Sequence, residues 1–235
     1  MCPFNITEHI AKAHQQVEQA CLKFDRNPSD VQVLAVSKTQ PAEAIRAAAA
    51  TGQQAFGENY LQEALQKKQQ LADLPKLEWH FIGAIQSNKT RELAENFDWL
   101  HTLDRLKIAQ RLNDQRPDHL PPLKVLIQVN ISDEASKAGV APAKALAFAQ
   151  QVMQLPRLAL SGLMCIPKAT EDFTKQRQAF AQLAALQADL KKVLPTAHLN
   201  TLSMGMSSDL EAAIAEGSTC VRLGTAIFGA REAKH

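Results

Sequence analysis

No run of about eighteen apolar residues occurs in this chain, so a membrane-spanning helix is not expected. Charge of one sign is also scarce. With 26 Lys and Arg against 24 Asp and Glu, the net charge is +2, and the charges are interspersed as on solvated helix faces. That balance offers no electrostatic case for a nucleic-acid partner. The four cysteines, Cys2, Cys21, Cys165 and Cys220, form no CxxC pair and show no metal-like spacing with histidine. The last three lie in apolar contexts and read as small buried hydrophobes. Glu8, His9 and Lys12 interrupt any signal-peptide core, and no Pro/Gly/Ser linker divides the chain. The expectation is one cytoplasmic, reduced domain over residues 1–235.

What is present is a regular alternation. Ile6, Ile10, Ala13, Val17, Ala20 and Phe24 recur at helical spacing, with Asn5 and Glu8 as a capping pair and Asn27-Pro-Ser29 as the stop. Short apolar runs follow at 31–38, 54–57, 78–83, 99–103, 123–130, 158–166, 201–206 and 220–223. Amphipathic segments lie between them at about 41–51, 59–72, 88–96, 104–116, 141–155, 174–193 and 208–216. Strands buried on both faces read as continuous apolar runs, as in Val125-Leu-Ile-Gln-Val129. Alternation of this kind calls for parallel strands with right-handed crossovers. An open doubly wound sheet and a closed barrel both satisfy it. Polar residues after nearly every strand favour the α/β class of the (β/α)8 TIM barrel, with the extra N-terminal helix completing the outer ring.

Within Val31-Gln-Val-Leu-Ala-Val-Ser-Lys-Thr-Gln-Pro41, one lysine ends an apolar strand. Lys38 is either a snorkelling side chain or a tuned amine. It shares strand parity with Leu34 and Val36, so if those fill the barrel it points to the axis at the C-terminal mouth. Low-dielectric surroundings there would depress the amine pKa and supply a neutral nucleophile.

The C-terminal region looks like a phosphate cradle. Thr201-Leu-Ser-Met-Gly-Met-Ser-Ser-Asp-Leu-Glu211 reads as a strand, a glycine turn and a helix start, with Ser208 and Glu211 at capping-box spacing and Ser207 just ahead of them. Cys220-Val-Arg-Leu-Gly-Thr-Ala-Ile-Phe-Gly229 reads as the eighth strand followed by a Gly-Thr turn, where Gly224 permits close approach and Thr225 offers a hydroxyl. Loops after strands seven and eight recurrently build such sites in barrels. Arg222, inside the eighth strand, needs a partner: a structural ion pair, or the pyridine nitrogen of a cofactor, which an arginine would leave unprotonated. Asn59 is a helix cap or a cofactor ligand, His80 a satisfied core histidine. Gln86-Ser-Asn-Lys89 lines the mouth or caps a helix through Ser87. Met164 and Met204 belong to the core or to the wall of the pocket.

In Leu34-Ala-Val-Ser-Lys-Thr39, Phe56-Gly-Glu-Asn-Tyr60, Trp79-His-Phe-Ile-Gly83, Gln86-Ser-Asn-Lys89, Ser161-Gly-Leu-Met164, Ser203-Met-Gly-Met-Ser207 and Val221-Arg-Leu-Gly-Thr-Ala-Ile-Phe-Gly229, the chain resembles the pyridoxal-phosphate homeostasis protein family. That family is similar to the N-terminal barrel of alanine racemases, the fold-type III proteins that use pyridoxal 5'-phosphate (PLP). The motifs follow the family's order over nearly the whole chain; Ala84, Ile85 and Cys165 are its small departures. The resemblance implies a barrel carrying PLP as an imine on Lys38. Ser207, Gly224 and Thr225 would hold the phosphate, with Arg222 near the pyridine nitrogen. It implies a carrier that buffers or delivers the cofactor, with apo PLP-dependent enzymes as partners.

A racemase is the alternative. Its chemistry needs two bases on opposite faces of the substrate's α-carbon, and in racemases the second is a tyrosine from a partner's C-terminal domain. This sequence has one tyrosine, Tyr60, and ends at His235, so the expectation is a monomeric carrier rather than an enzyme.

Overall fold

The computed structural model of the protein describes residues 5–132 and 138–229. Helix α1 (Ile6–Lys23) opens the chain, and the Asn5 side chain accepts a hydrogen bond from the Glu8 N–H at 3.2 Å, the expected cap. Its stripe of Ile6, Ile10, Ala13, Val17, Ala20 and Cys21 is buried. Asn27 then caps a short 3-10 turn, Pro28–Asp30, that delivers the chain to the sheet.

Eight parallel strands follow: β1 (Gln32–Val36), β2 (Ala55–Glu58), β3 (Glu78–Phe81), β4 (Trp99–Leu103), β5 (Leu123–Gln128), β6 (Leu158–Met164), β7 (Thr201–Ser203) and β8 (Cys220–Leu223). They close into a barrel in chain order, and β8 returns to pair with β1 so that Arg222 stands opposite Leu34. Closure leaves no unpaired edge. Around the sheet lie α2 (Ala42–Ala49), α3 (Leu61–Gln70), α4 (Thr90–Asn96), α5 (Leu106–Gln115), α6 (Ala145–Met153), α7 (Phe173–Val193) and α8 (Leu210–Ala215), with a one-turn helix α9 (Thr225–Phe228) after β8. Helix α1 packs beside α2, α8 and α9 and so fills the eighth place in the ring. The expected (β/α)8 architecture is the observed one.

Most apolar side chains lie between barrel and helices, from Ile45 and Phe56 on one side to Phe180 and Ile214 on the other. Inside the barrel the apolar cluster is small: Leu34, Ala55 and Cys220, with Ile82 against them. The cysteine expectation holds among the described residues, where Cys21, Cys165 and Cys220 are buried free thiols; Cys2 lies outside them. Met164 and Met204 are fully buried core residues. No helix of the described residues is long and apolar enough to cross a membrane.

Several strands end sooner than their apolar runs suggest. β1 stops at Val36, β3 at Phe81, β6 at Met164 and β7 at Ser203. Hydrophobicity continues past the last ladder bond because residues after a barrel strand still pack under the loops of the mouth. Lys38 therefore belongs to the turn after β1 rather than to the strand.

Candidate functional site

The turn after β1 is fastened from outside the barrel. Lys67 of α3, 5% exposed, donates to the Ser37 carbonyl and to Glu58 Oε1, each at 2.8 Å, and pairs with Glu63. Ser37 Oγ donates to the same Glu58 oxygen at 2.6 Å, and the Thr39 N–H donates to Glu63 Oε1 at 2.5 Å. Both neighbours of Lys38 are thus held by one buried ionic cluster. Burial pushes the Glu58 carboxyl above its ordinary range, against the pull of the Lys67 ammonium. Thr39 has a φ of +65°, an outlier for a β-branched residue whose strain is of order 1–3 kcal/mol. Strain of this kind persists only where surrounding contacts over-determine the backbone, as they do here.

Lys38 lines a small pocket with Val36, Gln40, Gly224, Thr225 and Gly229. Leu34 is in the inner cluster and Val36 faces Gly224 across the β1–β8 seam, but strand parity does not extend to Lys38, which follows the end of β1; the shared pocket places it beside Gly224. The structure therefore brings together Lys38, Gly224 and Thr225. A Cβ added at Gly224 would meet nothing closer than 3.5 Å, and its φ of −110° is ordinary for any residue. Neither backbone nor packing requires glycine there. A group approaching from the mouth would.

Arg222 is buried in β8, with Nη1 donating to Ser203 Oγ at 2.8 Å and Nη2 to the Cys165 carbonyl at 3.0 Å. The structural ion pair considered for it is not among its described contacts. Burial pushes the Cys165 thiol up to about 12 and the Cys220 thiol up to about 11, so neither is a ready nucleophile beside it.

Asn59 does not cap α3, which begins at Leu61 without a side-chain cap; its Oδ1 is buried and has no hydrogen-bond partner. It lines a neighbouring pocket with Gln86 and Lys89, under the loop that carries Gly83. Ser87 starts a 3-10 turn but makes no capping bond, since Thr90 Oγ1 reaches its carbonyl instead. Ser207 is exposed and lines a separate groove with Gln16 and Gln19 of α1 and Gln176 of α7, so the structure does not bring it into the Lys38 pocket. The Ser208–Glu211 capping pair does not form. Asp209 accepts the Met206 N–H at 2.6 Å and occupies the cap position, while Glu211 pairs with Lys23 of α1.

Sequence reasoning passed over Glu58, Lys67, His101 and Ser203. Glu58 and His101 carried the same signal that exposed Arg222, a polar residue inside a buried strand. Lys67 carried none. The residues fit PLP at the uncrowded Gly224 beside Lys38; the buried unpartnered atom of Asn59 belongs to the other pocket.

Comparison with known proteins places the chain in a family. The family described as "Alanine racemase, N-terminal domain" matches residues 14–232. The chain is 58% identical over 227 residues to the pyridoxal phosphate homeostasis protein of Pseudomonas aeruginosa, covering 97% of this chain and 96% of that one. It is 54% identical to the protein of that name from Pasteurella multocida, covering 97% and 98%. Among solved structures it resembles PipY of Synechococcus elongatus PCC7942 with PLP bound, at 40% identity and a TM-score of 0.84, covering 95% of this chain and 100% of that one.

Proposed function

This chain belongs to the pyridoxal phosphate homeostasis protein family, and on that premise we propose that it binds PLP on Lys38 and serves intracellular PLP balance rather than catalysis. The observation that carries the reading is the convergence of Lys38, Gly224 and Thr225 on one pocket at the barrel mouth. When bound, PLP would supply an aldehyde for which Lys38 Nζ is the amine partner. Gly224 and Thr225 would hold the phosphate, with Ser207 as a further contact. Arg222, a permanent donor, would be the partner of the ring nitrogen and would leave it unprotonated. Asn59 is the remaining ligand.

The lining of the Lys38 pocket supports a carrier. Besides Lys38, its described residues are Val36, Gln40, Gly224, Thr225 and Gly229, none of them an acid–base group. Racemisation requires a second such group at the α-carbon. We read the protein as a cytoplasmic monomer that hands PLP to apo-enzymes.

Purified protein should show a visible cofactor band, and borohydride should fix the cofactor mass to the peptide carrying Lys38. Lys38→Ala should lose the band while keeping part of the PLP through its phosphate contacts. Colourless protein that takes up no added PLP would sink the reading. Sustained α-proton exchange on single amino-acid enantiomers at enzyme-like rates would overturn its non-catalytic part.

A further inference from the structure

From Arg222 a line of polar side chains crosses the barrel, and the cofactor reading gives its other members no task. Arg222 Nη1 donates to Ser203 Oγ at 2.8 Å, and that oxygen lies 2.8 Å from His101 Nδ1. His101 Nε2 lies 2.8 Å from His80 Nδ1, and His80 Nε2 lies 2.7 Å from Glu78 Oε1. The line crosses β8, β7, β4 and β3, and every member except Glu78 is buried.

Its direction follows from donor and acceptor chemistry. A guanidinium only donates, and an ionised carboxylate only accepts. Burial holds the His101 imidazole well below the usual histidine range and the His80 imidazole below it, so both are neutral with one N–H each. The hydrogen bond from His80 holds the Glu78 carboxyl below its ordinary value. His80 must therefore give its N–H to Glu78, which leaves its Nδ1 as an acceptor. His101 then donates from Nε2 to His80, and its Nδ1 accepts the Ser203 hydroxyl. Ser203 in turn accepts from Arg222. In this arrangement every contact is satisfied and each group donates toward Glu78.

We infer that Glu78, His80, His101 and Ser203 are positioning residues for Arg222, tying its guanidinium to a carboxylate at the far end of the barrel and so fixing its aim and charge at the ring nitrogen of bound PLP. The inference rests on the functional reading above, which puts Arg222 at that nitrogen. Among the described residues Arg222 otherwise donates only to the Cys165 carbonyl, so its charge is answered through the line. The other groups facing the line are the Cys165 and Cys220 thiols and Asp209 near Arg222, and Asp98 and Lys124 near His80. Trp99 stacks on His80 at 5.3 Å and seals it from the barrel floor.

The first arm of the test needs no cofactor. In apo-protein labelled with 15N-histidine, long-range proton–nitrogen NMR should find both rings neutral at pH 7 with the proton on Nε2. A doubly protonated ring, or an Nδ1–H tautomer of His101, overturns the inference. The second arm uses PLP-loaded protein. Glu78→Gln removes the distal charge, so the pH midpoint of the visible cofactor band should fall by about half a unit. His101→Leu breaks the line and should release PLP about tenfold faster. His101→Gln, whose amide can accept from Ser203 and donate to His80, should restore most of the retention. An unmoved midpoint in Glu78→Gln, or equal off-rates for the Leu and Gln variants, defeats the inference while leaving PLP binding standing. Wild-type protein that never takes up PLP overturns the functional reading and the role of the line with it, whatever tautomers are found.

Discussion

Gly224 and Gly205 lie about twenty residues apart in sequence and are glycines for opposite reasons. At Gly205 the φ is +99° and an added Cβ would stand 2.5 Å from the Ala213 Cβ, so the fold itself demands glycine. At Gly224 the fold does not. Gly224→Ala should therefore leave the melting temperature nearly unchanged, or raise it slightly through loss of unfolded-state entropy. It should nonetheless speed PLP release at least about tenfold, since a methyl group would sit where a phosphate must approach. Calorimetry and an off-rate measured against a PLP trap give the two numbers. Equal and large losses in both would make Gly224 structural. The shared pocket of Lys38, Gly224 and Thr225 was legible in the sequence because a lysine ending an apolar strand and a Gly-Thr turn are out of place in their elements. Ser208 was misread because spacing alone does not reveal that the helix starts one residue later, at Leu210, with Asp209 at the cap position.

At the scale of elements, the turn after β1 depends on α3. Lys67 lies in a stretch reading Leu61-Gln-Glu-Ala-Leu-Gln-Lys-Lys-Gln-Gln70, which from sequence is a solvated face. Only the docking of α3 against β1 and β2 buries it over Glu58, and no local pattern announces that. Lys67→Met strips the cation from the Ser37 carbonyl, Glu58 and Glu63 together and strands a buried carboxyl. The expected cost is about 3 kcal/mol of stability, read by urea unfolding. PLP uptake by the folded fraction should slow, because the strained Thr39 loses its restraint. Adding Glu58→Gln should recover part of the stability; a double variant no better than the single would remove Glu58 from the account. The strands themselves were legible nearly to their limits, since burial on both faces writes a continuous apolar run. Their ends were not, because hydrogen bonding ends before burial does.

At the scale of the whole molecule, the polar interior sets the response to acid. His80 and His101 have folded values below the ordinary histidine value of 6.5. As pH falls below that value the unfolded chain takes up protons at these positions and the native barrel does not, so stability falls with falling pH. The slope is about 1.4 kcal/mol per pH unit for each group between its unfolded and folded values. Glu78, whose carboxyl is also held low, adds a further loss once pH drops through its ordinary value of 4.5. Urea melts from pH 7 to pH 5 should show this decline, and His101→Gln should flatten it. A flat wild-type profile would mean that the buried imidazoles titrate normally.

The seam between β1 and β8 has a consequence for the making of the protein. Lys38 follows the first strand, while Arg222, Gly224 and Thr225 come from the last or the turn after it, and the two strands meet along a seam that pairs Gln32 through Ala35 with Cys220 through Leu223. On the proposed binding mode, a chain emerging from the ribosome would carry Lys38 early but have nothing to hold a phosphate beside it until the eighth strand arrives. Cofactor capture would then wait for the end of synthesis, and a nascent or truncated barrel would not sequester a reactive aldehyde.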